Sequence, residues 1–128
     1  MIKKIIFEDL FVLDLANNHF GDVKHAKKII GEFGKVRKKF NIKACLKFQF
    51  RNLDTFVHKN EINNKKNKYV QRFLSTRLEF NDFKILKDFC KKNKFLTACT
   101  PFDEESIDEI EKIGFDYLKI ASVSSNDW

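Results

Sequence analysis

Four apolar, strand-like runs in this chain each end in a short polar signature: Asp14-Leu-Ala-Asn-Asn-His19, Lys47-Phe-Gln49, Cys99-Thr-Pro-Phe102 and Lys119-Ile-Ala-Ser122. Helix-like segments lie between them and no hairpin signal does, so the runs are read as parallel strands joined by right-handed crossovers. Polar groups at the carboxyl ends of successive parallel strands are how a (β/α)-barrel assembles an active site, one or two groups per strand. Four such strands are half a barrel. The chain has 128 residues, whereas a complete eight-stranded barrel needs roughly 250. The expected fold class is therefore α/β: the first half of a (β/α)8 TIM barrel, truncated. A Rossmann-type sheet is the competing architecture, and no Gly-x-Gly-x-x-Gly follows the first strand to support it.

The element pattern fills in as follows. Ile2 to Phe7 reads as a short extra strand and Phe11 to Ala16 as the first core strand. Asp22 caps a helix over Val23 to Phe40, in which Val23, Ala26, Ile29, Ile30, Phe33 and Val36 recur at helical spacing. Ile42 to Phe50 is the second strand. A polar excursion from Arg51 to about Glu79 carries a short helix around Tyr69 to Phe73; connections of that length usually cover a site or move. Asn81 caps a helix that turns Phe83, Ile85, Leu86, Phe89 and Cys90 inward. Phe95 to Cys99 is the third strand, Asp103 caps Glu104 to Ile113, Gly114 ends that helix, and Tyr117 to Ala121 is the fourth strand.

The net charge of +7 raises the question of nucleic acid. Its cations are 21 Lys and 4 Arg, with the lysines interleaved with acids along helices. Readers of phosphate and base edges favour Arg for its bidentate fork, so the balance argues against nucleic acid, and Asn63-Asn-Lys-Lys-Asn-Lys68 reads as a solvated loop. No run of ~18 apolar residues exists to span a membrane. The N-terminus, Met-Ile-Lys-Lys-Ile-Ile-Phe-Glu, lacks a signal-peptide pattern, which makes a cytoplasmic protein the expectation. The three cysteines, Cys45, Cys90 and Cys99, have no metal-type spacing and read as buried thiols.

In Ala44-Cys-Leu-Lys-Phe-Gln-Phe50, alternation puts Cys45, Lys47 and Gln49 on one face and Ala44, Leu46, Phe48 and Phe50 on the other. The large apolar face suits the helix layer, so Lys47 and Gln49 point into the barrel. A lysine in an apolar strand needs an anionic partner, which is either a bound anion or Asp14 on the neighbouring strand. Lys119 repeats the arrangement on the fourth strand. Two inward lysines can hold a phosphate or carboxylate, with the hydroxyls of Thr100 and Ser122, loop N–H groups and the helix N-terminus after Pro101 completing the cradle. Asp14 faces inward too, suited to bonding a polyol, accepting a proton or serving as counter-ion to Lys47. Asn17, Asn18 and His19 are turn residues or line the site, while His25 and His58 read as surface residues. No pair of histidines has ligand spacing, so the residues themselves assemble no metal site.

In this order the four signatures resemble the N-terminal half of the sialic acid synthase family, which reads Glu-Ile-Gly-x-Asn-His, Lys-Phe-Gln, Ser-Thr-Pro-Phe-Asp and Lys-Ile-(Ala/Gly)-Ser. The resemblance covers nearly the whole chain, and Thr100-Pro-Phe-Asp-Glu-Glu-Ser106 followed by Tyr117-Leu-Lys-Ile-Ala-Ser122 is its most specific part. It implies a barrel that condenses phosphoenolpyruvate with an N-acetylated amino sugar, typically N-acetylmannosamine, releasing phosphate. Lys47, Lys119, Thr100 and Ser122 match positions that hold phosphoenolpyruvate. Gln49 and Asp14 match positions by the sugar and the reacting carbons, with Asp14 the catalytic candidate and Asn18 and His19 further substrate-side candidates. The resemblance also implies a divalent metal, manganese or magnesium, held by later strands, and a homodimer in which a C-terminal antifreeze-like domain reaches the partner's site. On this reading residues 1–128 are the N-terminal half-barrel alone, and the fragment by itself is inactive.

The chain departs from the family pattern where Asp14 stands for Glu, Ala16 for Gly, and Ser124 for an acid two residues after Ser122. These leave open a divergent subgroup or a different acceptor sugar. The rival readings are another phosphoenolpyruvate–aldose condensing enzyme, such as a 3-deoxy-sugar-acid synthase, and a non-catalytic half-barrel binding module or gene remnant.

Overall fold

The computed structural model describes residues 7–126. Four strands, β1 (Leu10–Asp14), β2 (Lys43–Phe50), β3 (Leu96–Pro101) and β4 (Tyr117–Leu118), form one sheet in the order β1-β2-β3-β4. Every pairing is parallel. Five helices connect them: α1 (Val23–Phe40), α2 (Leu53–Phe56), α3 (Lys68–Ser75), α4 (Phe80–Lys92) and α5 (Glu104–Ile113). A dinucleotide-type sheet reverses its strand order at a switch point and is wound on both faces. Here the order runs monotonically, so the crossovers lay α1, α4 and α5 on one face. That is the arc of half a (β/α)8 barrel.

The alternation in β2 decides which face is which. Leu46, Phe48 and Phe50 join Ile30, Phe83, Leu86, Cys90, Cys99 and Ile110 in the main core under the helices. Phe83 packs edge-on against both Phe48 and Phe50, with centroids 6.2 and 4.8 Å apart. Burying a side chain of this size contributes about 1.5–3 kcal/mol, so a one-residue slip of β2 would forfeit several such terms at once. Lys47 and Gln49 stay on the opposite face. All three cysteines are free and buried, as expected for packed thiols, and burial pushes the Cys90 thiol up to about 12.

Local signals set most boundaries. Asp22 caps α1 by accepting the N–H groups of Lys24 and His25, and Asn41 ends it in the left-handed region. Asp103 caps α5, and Gly114, at φ 75°, closes it. Four expectations need correcting. α4 begins two residues earlier than expected: Glu79, not Asn81, is its cap, because Glu79 and Asp82 form a reciprocal capping box. Ile85 does not turn inward and is 38% exposed. The fourth strand is only Tyr117–Leu118 and gives way to a 3-10 turn at Ser122–Ser124. The third runs on to Pro101, since its last residues pair with Gln49 and Phe50. α2 had no periodicity to reveal it, being a single turn capped by Asn52. The strand expected at Ile2 to Phe7 falls almost wholly outside the described residues. No helix among those described is long and apolar enough to cross a membrane.

Candidate active site

Residues opposite one another in a parallel ladder share a face, so register assembles the site. Asp14 pairs with Lys47, Lys47 with Ala98, and Ala98 with Tyr117. One step nearer the carboxyl ends, Gln49 pairs with Thr100. The Lys119 N–H donates to the Cys99 carbonyl at 2.9 Å, carrying the ladder one residue beyond β4 and setting Lys119 beside Thr100. Asp14, Lys47, Gln49, Thr100 and Lys119 therefore stand on four adjacent strand ends of the open face.

Lys47 Nζ lies 2.8 Å from Asp14 Oδ2, with the lysine side chain 13% exposed and the carboxylate 48% exposed. The other Asp14 oxygen accepts the Ala16 N–H at 3.0 Å. Both readings of Lys47 thus begin from a formed ion pair. A pair with one half-exposed partner contributes no more than about 1 kcal/mol, which leaves Asp14 exchangeable for a bound anion. Thr100 is 2% exposed, and its Oγ1 is buried without a hydrogen-bond partner among the described residues. A buried hydroxyl left that way costs about 1–3 kcal/mol. Lys119 and Ser122 are exposed, with the Ser122 carbonyl accepting the Ser125 hydroxyl at 2.8 Å.

The helix N-terminus after Pro101 is not the anion site that the sequence suggested. Asp103 already takes the Ser106 N–H at 2.8 Å and the Asn52 N–H at 3.0 Å, and Glu104 and Glu105 occupy the first turn. Those carboxylates neutralise the terminus, and the Asp103 contacts tie the end of β2 to the start of α5.

His19 is buried. Its Nδ1 accepts the Gly21 N–H at 3.0 Å, and burial, assisted by His25, lowers its pKa to about 4. A neutral imidazole with Nδ1 engaged presents Nε2–H as a donor. His19 lines a small cleft with Asn17, Gln49, Arg51, Phe73, Arg77 and Phe83. Asn18 is exposed at the mouth of an adjoining groove that shares Asn17, Gln49 and Thr76. His25 is half-buried against the Phe20 ring, centroids 5.6 Å apart, while His58 is exposed.

The wall of this cleft escaped the sequence reading. Arg51 sits over the rings of Phe102, Phe73 and Phe56, at 3.7, 4.5 and 5.8 Å. It donates to Gln49 Oε1 at 3.2 Å, and burial with the nearby charge of Arg72 depresses its pKa to about 10. Arg77 instead forks onto both oxygens of Asp54, at 2.8 and 3.0 Å, and reaches Glu79. A signal was present: three of the four arginines, Arg51, Arg72 and Arg77, fall inside the polar excursion.

Among the described residues no three His, Cys, Asp or Glu side chains converge to hold a metal ion. The resemblance places the ligands of its divalent metal on later strands, and no step here is routed through one.

A profile of the NeuB family matches residues 37–128. An uncharacterized protein of Methanocaldococcus jannaschii is 30% identical over 105 residues, covering 82% of this chain and 28% of its own. Among solved structures, a Chromobacterium violaceum protein named for spore coat polysaccharide biosynthesis (protein E) superposes with a TM-score of 0.90 at 42% identity. It covers 94% of this chain and 36% of its own. The N-acetylneuraminic acid (sialic acid) synthetase of Leptospira borgpetersenii, solved with citrate, gives a TM-score of 0.69 at 26% identity over 91% of this chain and 36% of its own. The chain thus spans about a third of the length of the proteins it resembles. With the profile covering well over half of its residues and four parallel strands superposing on the first part of those larger chains, this chain belongs to the NeuB family.

Proposed function

We propose that this chain is the first, phosphate-handling half of a synthase that condenses phosphoenolpyruvate with an N-acetylated amino sugar such as N-acetylmannosamine, forming a carbon–carbon bond and releasing phosphate. The observation that carries the reading is the row Lys47, Gln49, Thr100 and Lys119 on adjacent strand ends. The name of the Leptospira relative supports the product class. Lys47 and Lys119 would hold the anionic groups of phosphoenolpyruvate, with the unpaired Thr100 hydroxyl and Ser122 donating to its oxygens. Binding the anion releases Asp14 from Lys47, so that its carboxylate turns to the sugar as base or hydroxyl acceptor. Gln49, Asn18 and the neutral His19 supply amide and imidazole donors on the same side.

On this reading the remaining strands, a manganese or magnesium site, an antifreeze-like domain and a homodimer belong to the full-length protein, acting in the cytoplasm where phosphoenolpyruvate is found. The test is phosphate release from phosphoenolpyruvate by the full-length protein, supplied with manganese and N-acetylmannosamine. Sugar-dependent release is expected. Absence of release with N-acetylmannosamine and with other N-acetylated hexosamines alike would overturn the reading.

A further inference from the structure

β4 has the weakest seat in the sheet, yet it delivers Lys119 to the strand-end row. It is two residues long, and among the described residues it pairs with β3 alone. Its apolar side chains anchor it little, Leu118 being 45% and the following Ile120 74% exposed. Register is nevertheless critical here. Tyr117 and Lys119 share one face of the strand, so a one-residue slip would turn Lys119 to the helix side and out of the row.

What holds that register is polar and centres on Asp116. Its N–H donates to the Thr97 carbonyl at 2.9 Å. The side chain returns the contact, Oδ2 accepting the Thr97 N–H at 2.7 Å and the Thr97 hydroxyl at 2.8 Å. The carboxylate thus serves β3 as a backbone carbonyl does further along the ladder. Lys91 of α4 donates to both of its oxygens. One turn earlier on the same helix, Lys87 Nζ donates to the Ile113 carbonyl at 2.8 Å, where α5 ends. The turn from α5 into β4 is therefore held by two helix lysines on one side and a strand threonine on the other. Thr97 is fully buried and the Asp116 side chain is 21% exposed, so water competes poorly for these bonds.

We propose that Asp116 is a positioning residue for anion binding: its contacts with Thr97 and Lys91 set the register of β4 and so place Lys119 beside Thr100. It acts through Lys119 and not on the ligand. Asp116 lies three residues before Lys119, roughly 10 Å along an extended strand, and alternation turns it to the other face. The inference rests on the synthase reading above, in which Lys119 holds phosphoenolpyruvate, and assigns the part of the fold that keeps that lysine in place.

The experiment is a double-mutant cycle on the full-length protein, read as phosphoenolpyruvate affinity by calorimetry. Asp116→Ala should weaken binding about 5- to 50-fold. Asp116→Asn, whose amide oxygen still accepts the Thr97 N–H, should recover part of the loss. In a Lys119→Ala background Asp116→Ala should cost less than about 3-fold, because the group it positions is gone. A merely structural residue would cost the same in both backgrounds. Lys91→Met, at a helix position whose side chain is 42% exposed, loosens the contact without stranding the Thr97 donors. It should weaken binding about 2- to 5-fold, again only while Lys119 is present, and it decides the matter in the same way if Asp116→Ala does not fold. Wild-type affinity in the folded variants, or equal losses with and without Lys119, would overturn the proposal and leave the synthase reading standing. Unchanged affinity in Lys119→Ala itself would overturn the assigned role of Lys119 in that reading, and the proposal with it.

Discussion

His19 is neutral because the fold withholds water from it and because its Nδ1 is committed to the Gly21 N–H. Its pKa falls from 6.5 to about 4, so between those values the unfolded chain binds a proton that the folded one refuses. Stability must then fall as the pH drops from about 6.5 toward 4, by up to about 3 kcal/mol from this residue. Urea denaturation at pH 7 and pH 4.5 should show the wild-type chain losing more stability on acidification than His19→Gln does. Equal losses would mean that the buried imidazole does not contribute. At this scale the sequence was informative about Lys47, because a charge inside an alternating apolar strand has few structural explanations. It was less informative about Asp14 and His19, whose roles depend on neighbours brought in by register and by a turn. It said nothing about Arg51, whose stacking partners Phe56, Phe73 and Phe102 come from three separate segments.

Helix ends carried the clearest local code. Asp22, Asp103 and Gly114 mark boundaries through caps that the backbone needs whatever the tertiary context. Glu79 was missed because its capping box is reciprocal with Asp82, whereas Asn81 offered a simpler match. The excursion between β2 and α4 was legible as long and polar but not as a wall, since α2 is too short for periodicity. Its seat on the β1–α1 loop is tight at Gly21. That residue has φ +72°, and an added Cβ would lie 3.1 Å from the Arg77 carbonyl oxygen and 3.2 Å from that of Ser75. Both obstacles are backbone and cannot rotate away. Gly21→Ala should destabilise the protein by about 1–3 kcal/mol and loosen the segment after α3. Urea denaturation and hydrogen exchange at residues 75–79 check this, and an unchanged midpoint with unchanged exchange would contradict it.

Over the whole molecule, parallel strands were readable from the alternation of strands and helices, and the polar strand ends pointed to the half-barrel before the resemblance did, while the monotonic strand order came from the structure. What sequence could not convey is how much apolar surface the arc leaves open. β1 pairs only with β2 among the described residues, and Phe11 and Val12 on it are exposed. Beyond the short β4, Ile120 is 74% and Val123 80% exposed. Open parallel edges flanked by such side chains associate. The 128-residue chain prepared alone should therefore run larger than a monomer in size-exclusion chromatography coupled to light scattering. A stable monomer at tens of micromolar would show that the arc closes its own edges. The central claim, that the strand-end row of this half-barrel holds phosphoenolpyruvate, is tested most directly by calorimetry on the full-length protein and its Lys47→Ala and Lys119→Ala variants. Loss of one charge-assisted hydrogen bond, about 1.5–3 kcal/mol, predicts affinity weakened roughly 10- to 150-fold in each. Unchanged phosphoenolpyruvate affinity in both folded variants would contradict the account.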